Sequence, residues 1–240
     1  MHDASMLAEL IRANQPCVAL TGAGVSTESG IPDFRSAGGI LSSYDPYEVG
    51  SIDAFRRDPA RVWEFYALRL EALAAARPND AHRALARLEE AGLLDAVITQ
   101  NVDRLHAGAG SRDVIEVHGS IERAECLACG TEIEREALRR LLPLPRCPRC
   151  GSVLKPGVVM FGELLPEAAL ERATELARGA ALLLVVGSSL EVWPVAGLPD
   201  ETLAHGGKLA IVNRDPTRYD ARAALVVHGS AGEALRPLCA

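Results

Sequence analysis

The sequence predicts an α/β protein, a doubly wound parallel sheet with a smaller second lobe. Three observations predict it. Six short apolar runs each stop at glycine or a polar residue. Helical patterns separate many of those runs. Residues 122–154 carry two cysteine pairs and break the alternation.

Residues 1–15 set Asp3 and Glu9 among apolar residues at helical spacing, which reads as an amphipathic helix. The first apolar run, 18–21, meets Gly22. The others are 96–99 before Gln100, 114–117 before His118, 181–186 before Gly187, 209–212 before Asn213 and 225–227 before His228. Continuous apolar runs of this length suit buried parallel strands. Between them, 81–91 places Leu85 and Leu88 on one face and closes at Gly92. Residues 166–178 open with Pro166 and close at Gly179, a common helix start and stop. Ligands of doubly wound sheets bind beyond the carboxyl ends of the strands, where the polar clusters fall. Residues 34–47 are rich in Gly, Ser and Tyr and read as a long mobile loop. Residues 53–76 read as helix, able to pack beside the cysteine segment. The expected division is 1–35, 80–121 and 155–240 for the sheet domain, with 36–79 and 122–154 for the small lobe.

The chain has 240 residues, 48% of them hydrophobic but only 4% aromatic, so Ala, Leu and Val must build most of the core. A net charge of −7 argues against nonspecific nucleic-acid binding, which needs clustered Lys and Arg. It favours, weakly and in a salt-dependent way, a lysine-rich peptide. The N-terminus does not read as a signal peptide, and no apolar run approaches the roughly 18 residues of a membrane span. The expectation is a soluble, cytoplasmic, monomeric protein with no membrane partner.

Four of six cysteines form Cys126-x2-Cys129 and Cys147-x2-Cys150, with Gly130 and Gly151 directly after. Seventeen residues separate the pairs, a zinc-ribbon spacing. Disulfides or an iron–sulfur site are the alternatives. Four thiolates would close the shell of one zinc ion, leaving no open position, so the metal would be structural. Glu122, Glu125, Glu132, Glu134 and Glu136 offset Arg123, Arg135, Arg139 and Arg140, so the ribbon has no basic stripe for nucleic acid.

The first strand runs into a glycine-rich string, 21–35, from Thr21 to Arg35. Glycines there would let backbone amides approach a pyrophosphate. Alone, such a loop is equally an ordinary strand-to-helix turn. The whole string is more specific, and it resembles the NAD-binding signature of the sirtuins. So do 99–106 (Thr-Gln-Asn-Val-Asp-Arg-Leu-His), Val117-His118-Gly119, the cysteine pairs, 155–163 (Lys-Pro-Gly-Val-Val-Met-Phe-Gly-Glu), 187–190 (Gly-Ser-Ser-Leu) and Val212-Asn213. They follow that family's order from about residue 18 to residue 231. The chain thus resembles bacterial-type sirtuins, NAD-dependent protein deacylases with a Rossmann-like sheet and a zinc-ribbon plus helical lobe.

The resemblance implies cleavage of the nicotinamide–ribose bond of NAD and transfer of an acyl group from lysine to the ribose. Nicotinamide, O-acyl-ADP-ribose and free lysine would leave. By match, Gly22, Ala23, Gly24, Ser26, Gly187, Ser188 and Ser189 line the phosphates and ribose, Asn213 and Ala231 the adenosine side. Asp33, Phe34 and Arg35 belong to the covering loop. Gln100, Asn101, Val102 and Asp103 surround the nicotinamide end, with Asn101 and Asp103 among the catalytic set. His118 is the implied general base, because imidazole titrates near neutral pH. Taken alone it is as readily a strand-end histidine capping a turn. His106 reads as structural. Val158, Val159, Met160 and Phe161 with Glu191 and Val192 would flank an extended substrate peptide.

Tyr66 and Arg69 are three apart on a predicted helix and share a face. Sirtuins that remove succinyl and malonyl groups carry a similar Tyr-x-x-Arg, where guanidinium and phenol hold the acyl carboxylate. Gly50 corresponds to a small residue that leaves room. A surface arginine beside a packed tyrosine is the plainer alternative. The chain departs from those relatives by keeping the Pro32-Asp33 of ordinary deacetylases.

Three rivals stand beside this reading. A protein ADP-ribosyltransferase would use the same fold. A dehydrogenase would need Gly-x-Gly-x-x-Gly, which is absent, since the third glycine comes only at Gly30. A noncatalytic zinc-ribbon module leaves the glycine string unexplained.

Overall fold

The computed structural model describes residues 2–33 and 45–239. Helix α1 (His2–Ala13) leads into strand β1 (Cys17–Thr21) and a 3-10 turn, Ala23–Ser29. Helices α2 (Pro46–Val49), α3 (Ile52–Arg57), α4 (Pro59–Ala75) and α5 (Asp80–Glu90) follow. Then come β2 (Ala96–Thr99), α6 (Leu105–Ala109), β3 (Val114–Glu116), β4 (Gly119–Glu125), β5 (Glu132–Glu134), α7 (Arg135–Leu141) and β6 (Lys155–Val158). The chain closes with α8 (Glu167–Gly179), β7 (Leu182–Val186), α9 (Leu198–Ala204), β8 (Lys208–Asn213), β9 (Leu225–His228) and α10 (Ala231–Leu235).

The six expected strands form one sheet in the order β3-β2-β1-β7-β8-β9, parallel at every pairing. Strand side chains alternate between two faces. Cys17, Ala19, Leu182 and Leu184 meet α1, α5 and α10 through Leu7, Ile11, Leu85 and Leu235. Val18, Leu20, Leu183 and Val185 meet α8 and α9 through Ala173, Ala177 and Leu198. Helices on both faces explain why the strand runs are apolar throughout, and the double winding is as expected.

The order reverses between β1 and β7. Each strand ends there in a glycine loop, and the loops touch backbone to backbone. Gly24 N donates to Gly187 O at 2.9 Å, and Gly22 N to Val186 O at 3.2 Å. A Cβ on Gly187 would lie 2.2 Å from Val25 N, and its φ is +61°. The glycines are thus already demanded by loop-on-loop packing, apart from any phosphate.

The second sheet has three strands, β5-β4-β6, with antiparallel pairings. β4 runs unbroken from Gly119 to Glu125 and pairs with β6. β4 therefore crosses the division expected at 121/122, while β6, its antiparallel partner, begins at the other expected division, at Lys155. The helical stretch expected over 53–76 is two helices. Asp58 ends α3 and caps α4 by accepting from Arg61 N, and Pro59 opens α4, a start signal present in the sequence. Trp63 on α4 is fully buried and donates to Leu154 O at 2.7 Å. Trp63, Phe65, Tyr66 and Leu70 share one core with Cys126, Leu138, Cys147 and Leu154, so these helices do pack on the cysteine segment. Of the loop expected over 34–47, residues 34–44 lie outside the described ones, and its end is helical, since α2 includes Tyr47. Among the described residues no helix is long and apolar enough to cross a membrane.

Candidate active site and zinc centre

The four paired cysteines converge, their sulfurs all within 4.8 Å of one another. Cys126 Sγ lies 3.4 Å from Cys150 Sγ, and Cys129 Sγ 3.6 Å from Cys147 Sγ. Zinc–sulfur bonds of about 2.3 Å place tetrahedral thiolates about 3.8 Å apart, so the donor set fits one zinc ion held by four thiolates with no open position. Matching turns build the two knuckles. Gly130 N donates to Cys126 O and Gly151 N to Cys147 O, both at 2.8 Å. The glycines sit at φ +67° and +77°, and the space a Cβ would occupy is open at both, so the dihedral and not crowding requires glycine.

A cavity of about 610 Å³ opens at the carboxyl end of the large sheet, where the strand order reverses, and extends to the small lobe. That is a small-molecule size and the expected place. Nearly every residue singled out from the sequence lines it. Gly22, Ala23, Gly24 and Ser26 come from the β1 loop, and Gly187, Ser188 and Ser189 from the β7 loop. Asn213 and Ala231 lie towards the sheet edge, and Asp33 also lines the wall. Gln100, Asn101, Val102, Asp103 and His118 form the middle, and Val158, Val159, Met160, Phe161 and Val192 the far side with Gly50, Tyr66 and Arg69. Phe34 and Arg35 lie outside the described residues. Glu191 is the exception: it is exposed and absent from the lining, whereas its neighbours Val192 and Trp193 are present.

A hydrogen-bond network holds the middle together. Gln100 Nε2 donates to Ser188 Oγ at 2.9 Å, and its backbone N to Thr21 O at 3.0 Å. Asn101 Nδ2 donates to Gly22 O and to Ser26 Oγ. Ser26 Oγ donates to Asp103 Oδ2 at 2.7 Å, and Leu105 N donates to Asp103 Oδ1 at 2.9 Å. Burial pushes the Asp103 carboxyl up, against these hydrogen bonds and the nearby Arg69 charge. Arg104 follows at φ +62°, a strained conformation for a side-chain-bearing residue beside a functional one.

His118 sits between β3 and β4, where the two sheets meet. Its Nδ1 is 3.0 Å from Gln100 O. A carbonyl only accepts, so Nδ1 carries the proton and Nε2 keeps the lone pair. Burial pulls its pKa below the ordinary imidazole value, opposed by that hydrogen bond. The imidazole is therefore neutral and basic at neutral pH.

Beneath lies a buried layer of two histidines: His106, which the sequence reads as structural, and His82, which sequence reasoning missed. His82 Nε2 lies 3.4 Å from Ser26 Oγ, and His106 Nε2 3.0 Å from Thr21 Oγ1. Burial pulls His82 down to about 4 and His106 to about 3. Sequence reasoning also missed Phe65, Leu73, Leu165 and Trp193 in the lining. Phe65 one residue before Tyr66 was the available signal.

At the far end, burial pushes the Tyr66 phenol up to about 12, with Arg69 lowering it and Glu163 raising it. The Arg69 guanidinium carbon lies 5.5 Å from the Phe65 ring centre. A cation, a phenol and apolar walls thus share one end of the cavity.

Residues 22–194 match the Sir2 family. The chain belongs to the Sir2, or sirtuin, family. It is 49% identical over 212 residues to an NAD-dependent protein deacylase of Aeropyrum pernix, covering 88% of this chain and 86% of that one. Among solved structures, a mutant Sir2 homologue in complex with ADP-ribose superposes with a TM-score of 0.94 at 44% identity, over 98% of this chain and 94% of that one. A Sir2 complex with a p53 peptide and NAD+ gives 0.88 at 41%, over 97% and 95%. The first of these relatives is archaeal, whereas the motifs by themselves suggest the bacterial type. In this sirtuin the glycine string and the polar middle line one cavity, and the four zinc-site cysteines lie outside its lining.

Proposed function

We propose that this chain is an NAD-dependent protein-lysine deacylase that releases nicotinamide, O-acyl-ADP-ribose and free lysine. Its sirtuin relatives carry that activity in their names, and NAD is the co-substrate. The observation that carries the reading is a neutral histidine, fixed by Gln100 O through Nδ1, in the cavity that the two glycine loops also line. Bound NAD supplies an electrophilic ribose carbon and a leaving nicotinamide.

The residues divide the work along the cavity. Gly22, Ala23, Gly24, Ser26, Ser188 and Ser189 hold phosphates and ribose, Asn213 and Ala231 the adenosine side, and Asp33 the covering side. Gln100 and Asn101 orient the nicotinamide end, and Val102 narrows it. Asp103, held by Ser26 and Leu105 N, presents a fixed carboxylate there. Nε2 of His118 takes a proton from a ribose hydroxyl as that oxygen reaches the acyl carbon. Val158 to Phe161 and Val192 flank the peptide. β6 supports this, because it lies at the edge of its sheet. The sheet domain in this reading holds the cofactor and the smaller lobe the acyl chain. The enzyme acts as a cytoplasmic monomer, which light scattering on the purified chain checks.

Incubation with NAD and a panel of acyl-lysine peptides, with nicotinamide quantified, tests the activity. Nicotinamide release proportional to free lysine is expected. ADP-ribose found attached to protein by mass spectrometry would favour a transferase instead, and release with no peptide dependence would sink the deacylase reading.

Tyr66 and Arg69 extend the reading to acidic acyl groups, succinyl or malonyl, whose carboxylate the guanidinium pairs with. Arg69→Met should lower kcat/KM for succinyl-lysine roughly ten-fold or more relative to acetyl-lysine, since a charge-assisted bond is worth about 1.5–3 kcal/mol. An unchanged ratio removes the acidic-acyl assignment.

A further inference from the structure

The zinc lobe holds a buried cation that the chemistry above does not use. The Lys155 side chain is 2% exposed. Its ammonium lies 2.8 Å from Glu125 Oε1, 2.9 Å from Val158 O, 3.0 Å from Pro156 O and 3.2 Å from Glu163 Oε2. An ammonium has three donors, and here four oxygens surround it. The lysine starts β6 and reaches forward along it, so three of its four partners lie on the segment that continues into the cavity wall.

Glu163 passes the constraint on. Its Oε2 also accepts from Met160 N at 2.8 Å, while Glu163 N donates to Met160 O at 3.0 Å. These reciprocal bonds close a tight turn over Met160–Glu163, with Gly162 at φ +89° in the position that turn requires. Phe161, at the turn's corner, is 46% exposed and lines the cavity. One residue after β6, Val159 N donates to His118 O at 2.9 Å. At the other end Glu125 directly precedes the zinc ligand Cys126, whose N donates to Thr131 O within the knuckle.

We propose that Lys155 is a positioning residue: its buried ammonium fixes segment 158–163 against Glu125, so that the zinc knuckle sets the shape of the peptide-binding wall. Stability alone does not account for the lysine, because a packed apolar side chain serves a lobe core at least as well as a buried ion pair. What an apolar residue cannot do is tie two carboxylates and two carbonyls to one point. The proposal rests on the reading that 158–163 frames the acyl-lysine peptide.

The test uses the full, zinc-loaded chain and an acetyl-lysine peptide, with separate titrations of peptide and NAD. Lys155→Met should raise the peptide KM about ten-fold, because misplacing a wall by about 1 Å can cost up to about 10²-fold. The KM for NAD should stay within about two-fold, with zinc still near one per chain. Lys155→Arg, which keeps the charge and the donors, should recover most of the loss. Where Lys155→Met fails to fold or to hold zinc, Glu163→Gln decides by the same split between peptide and NAD. Phe161→Ala separates the two levels of the argument. If it raises the peptide KM while Lys155→Met leaves it unchanged, or raises both KM values alike, Lys155 has no positioning role. If Phe161→Ala leaves the peptide KM unchanged, the peptide wall itself is misassigned and the proposal falls with it.

Discussion

The two cores of this sirtuin are built from different materials. The large sheet and its helices bury Ala, Leu, Val and Ile, and among its two clusters the only aromatic residue is Tyr219. The small lobe concentrates Phe55, Trp63, Phe65 and Tyr66 around two cysteines. A chain with 4% aromatics has placed four of them in its smaller core. The physical reason is size. A six-stranded sheet covered on both faces buries enough aliphatic surface to stand by itself. A three-stranded sheet packed against a few helices does not, and relies on large rings and a metal. The site lies between the two, so each core can be challenged separately.

The sharpest challenge is metal removal. Structural zinc contributes about 10–16 kcal/mol of apparent binding free energy, against about 5–15 for a whole domain. Chelation, or Cys147→Ser, should unfold the lobe and abolish activity while amides of β1, β7 and β8 stay protected from hydrogen exchange. Equal loss of protection in the large sheet would show that the cores are one cooperative unit.

Next in size is the residue at their junction. His118→Ala should cut kcat/KM by about 10²–10⁴ while moving Tm little, because it removes a base and no core contact. In the wild type, the acid limb of the rate should lie below the ordinary imidazole range, since burial lowers the pKa of His118 and the base fails only once protonated. A parallel fall in Tm would instead make His118 a structural joint.

The smallest effect separates the cores by pH. His82 and His106 lie under the large sheet's site, with pKa values lowered to about 4 and about 3. The unfolded chain binds protons below about pH 6.5, whereas the folded chain refuses them until those lower values. Stability should therefore fall as pH drops from 6.5 towards 4, by about 1–2 kcal/mol per histidine at pH 5. Urea unfolding at pH 7 and pH 5 measures it, and His82→Gln should flatten part of the slope. A pH-independent midpoint in His82→Gln and wild type alike would mean these imidazoles are solvated.

Much of the site was legible in the sequence because the signals are local. Strand ends, Cys-x2-Cys spacing and the strings around Gly22, Asn101 and His118 each span a few residues. The differences concern direction and partnership. Sequence order groups Glu191 with Val192, but in the folded chain Val192 lines the cavity and Glu191 is exposed outside it. Pro59 marks the break between α3 and α4, a signal that helical spacing over 53–76 hides. His82 is marked locally only as the partner of the Asn79 helix cap, and its contact with Ser26, 56 residues away, has no local signal.

By itself, the sequence determined the alternation of apolar strands and helices, the zinc ligands and the glycine loops, because hydrophobic period and ligand spacing act over a few residues. Only the tertiary structure decided that Gly24 packs on Gly187, that Nδ1 of His118 is held by Gln100, and that Lys155 is buried among oxygens of β4 and the 158–163 turn. Those contacts join segments far apart in the chain. Their energies depend on burial and on distances that exist only once the two sheets have met.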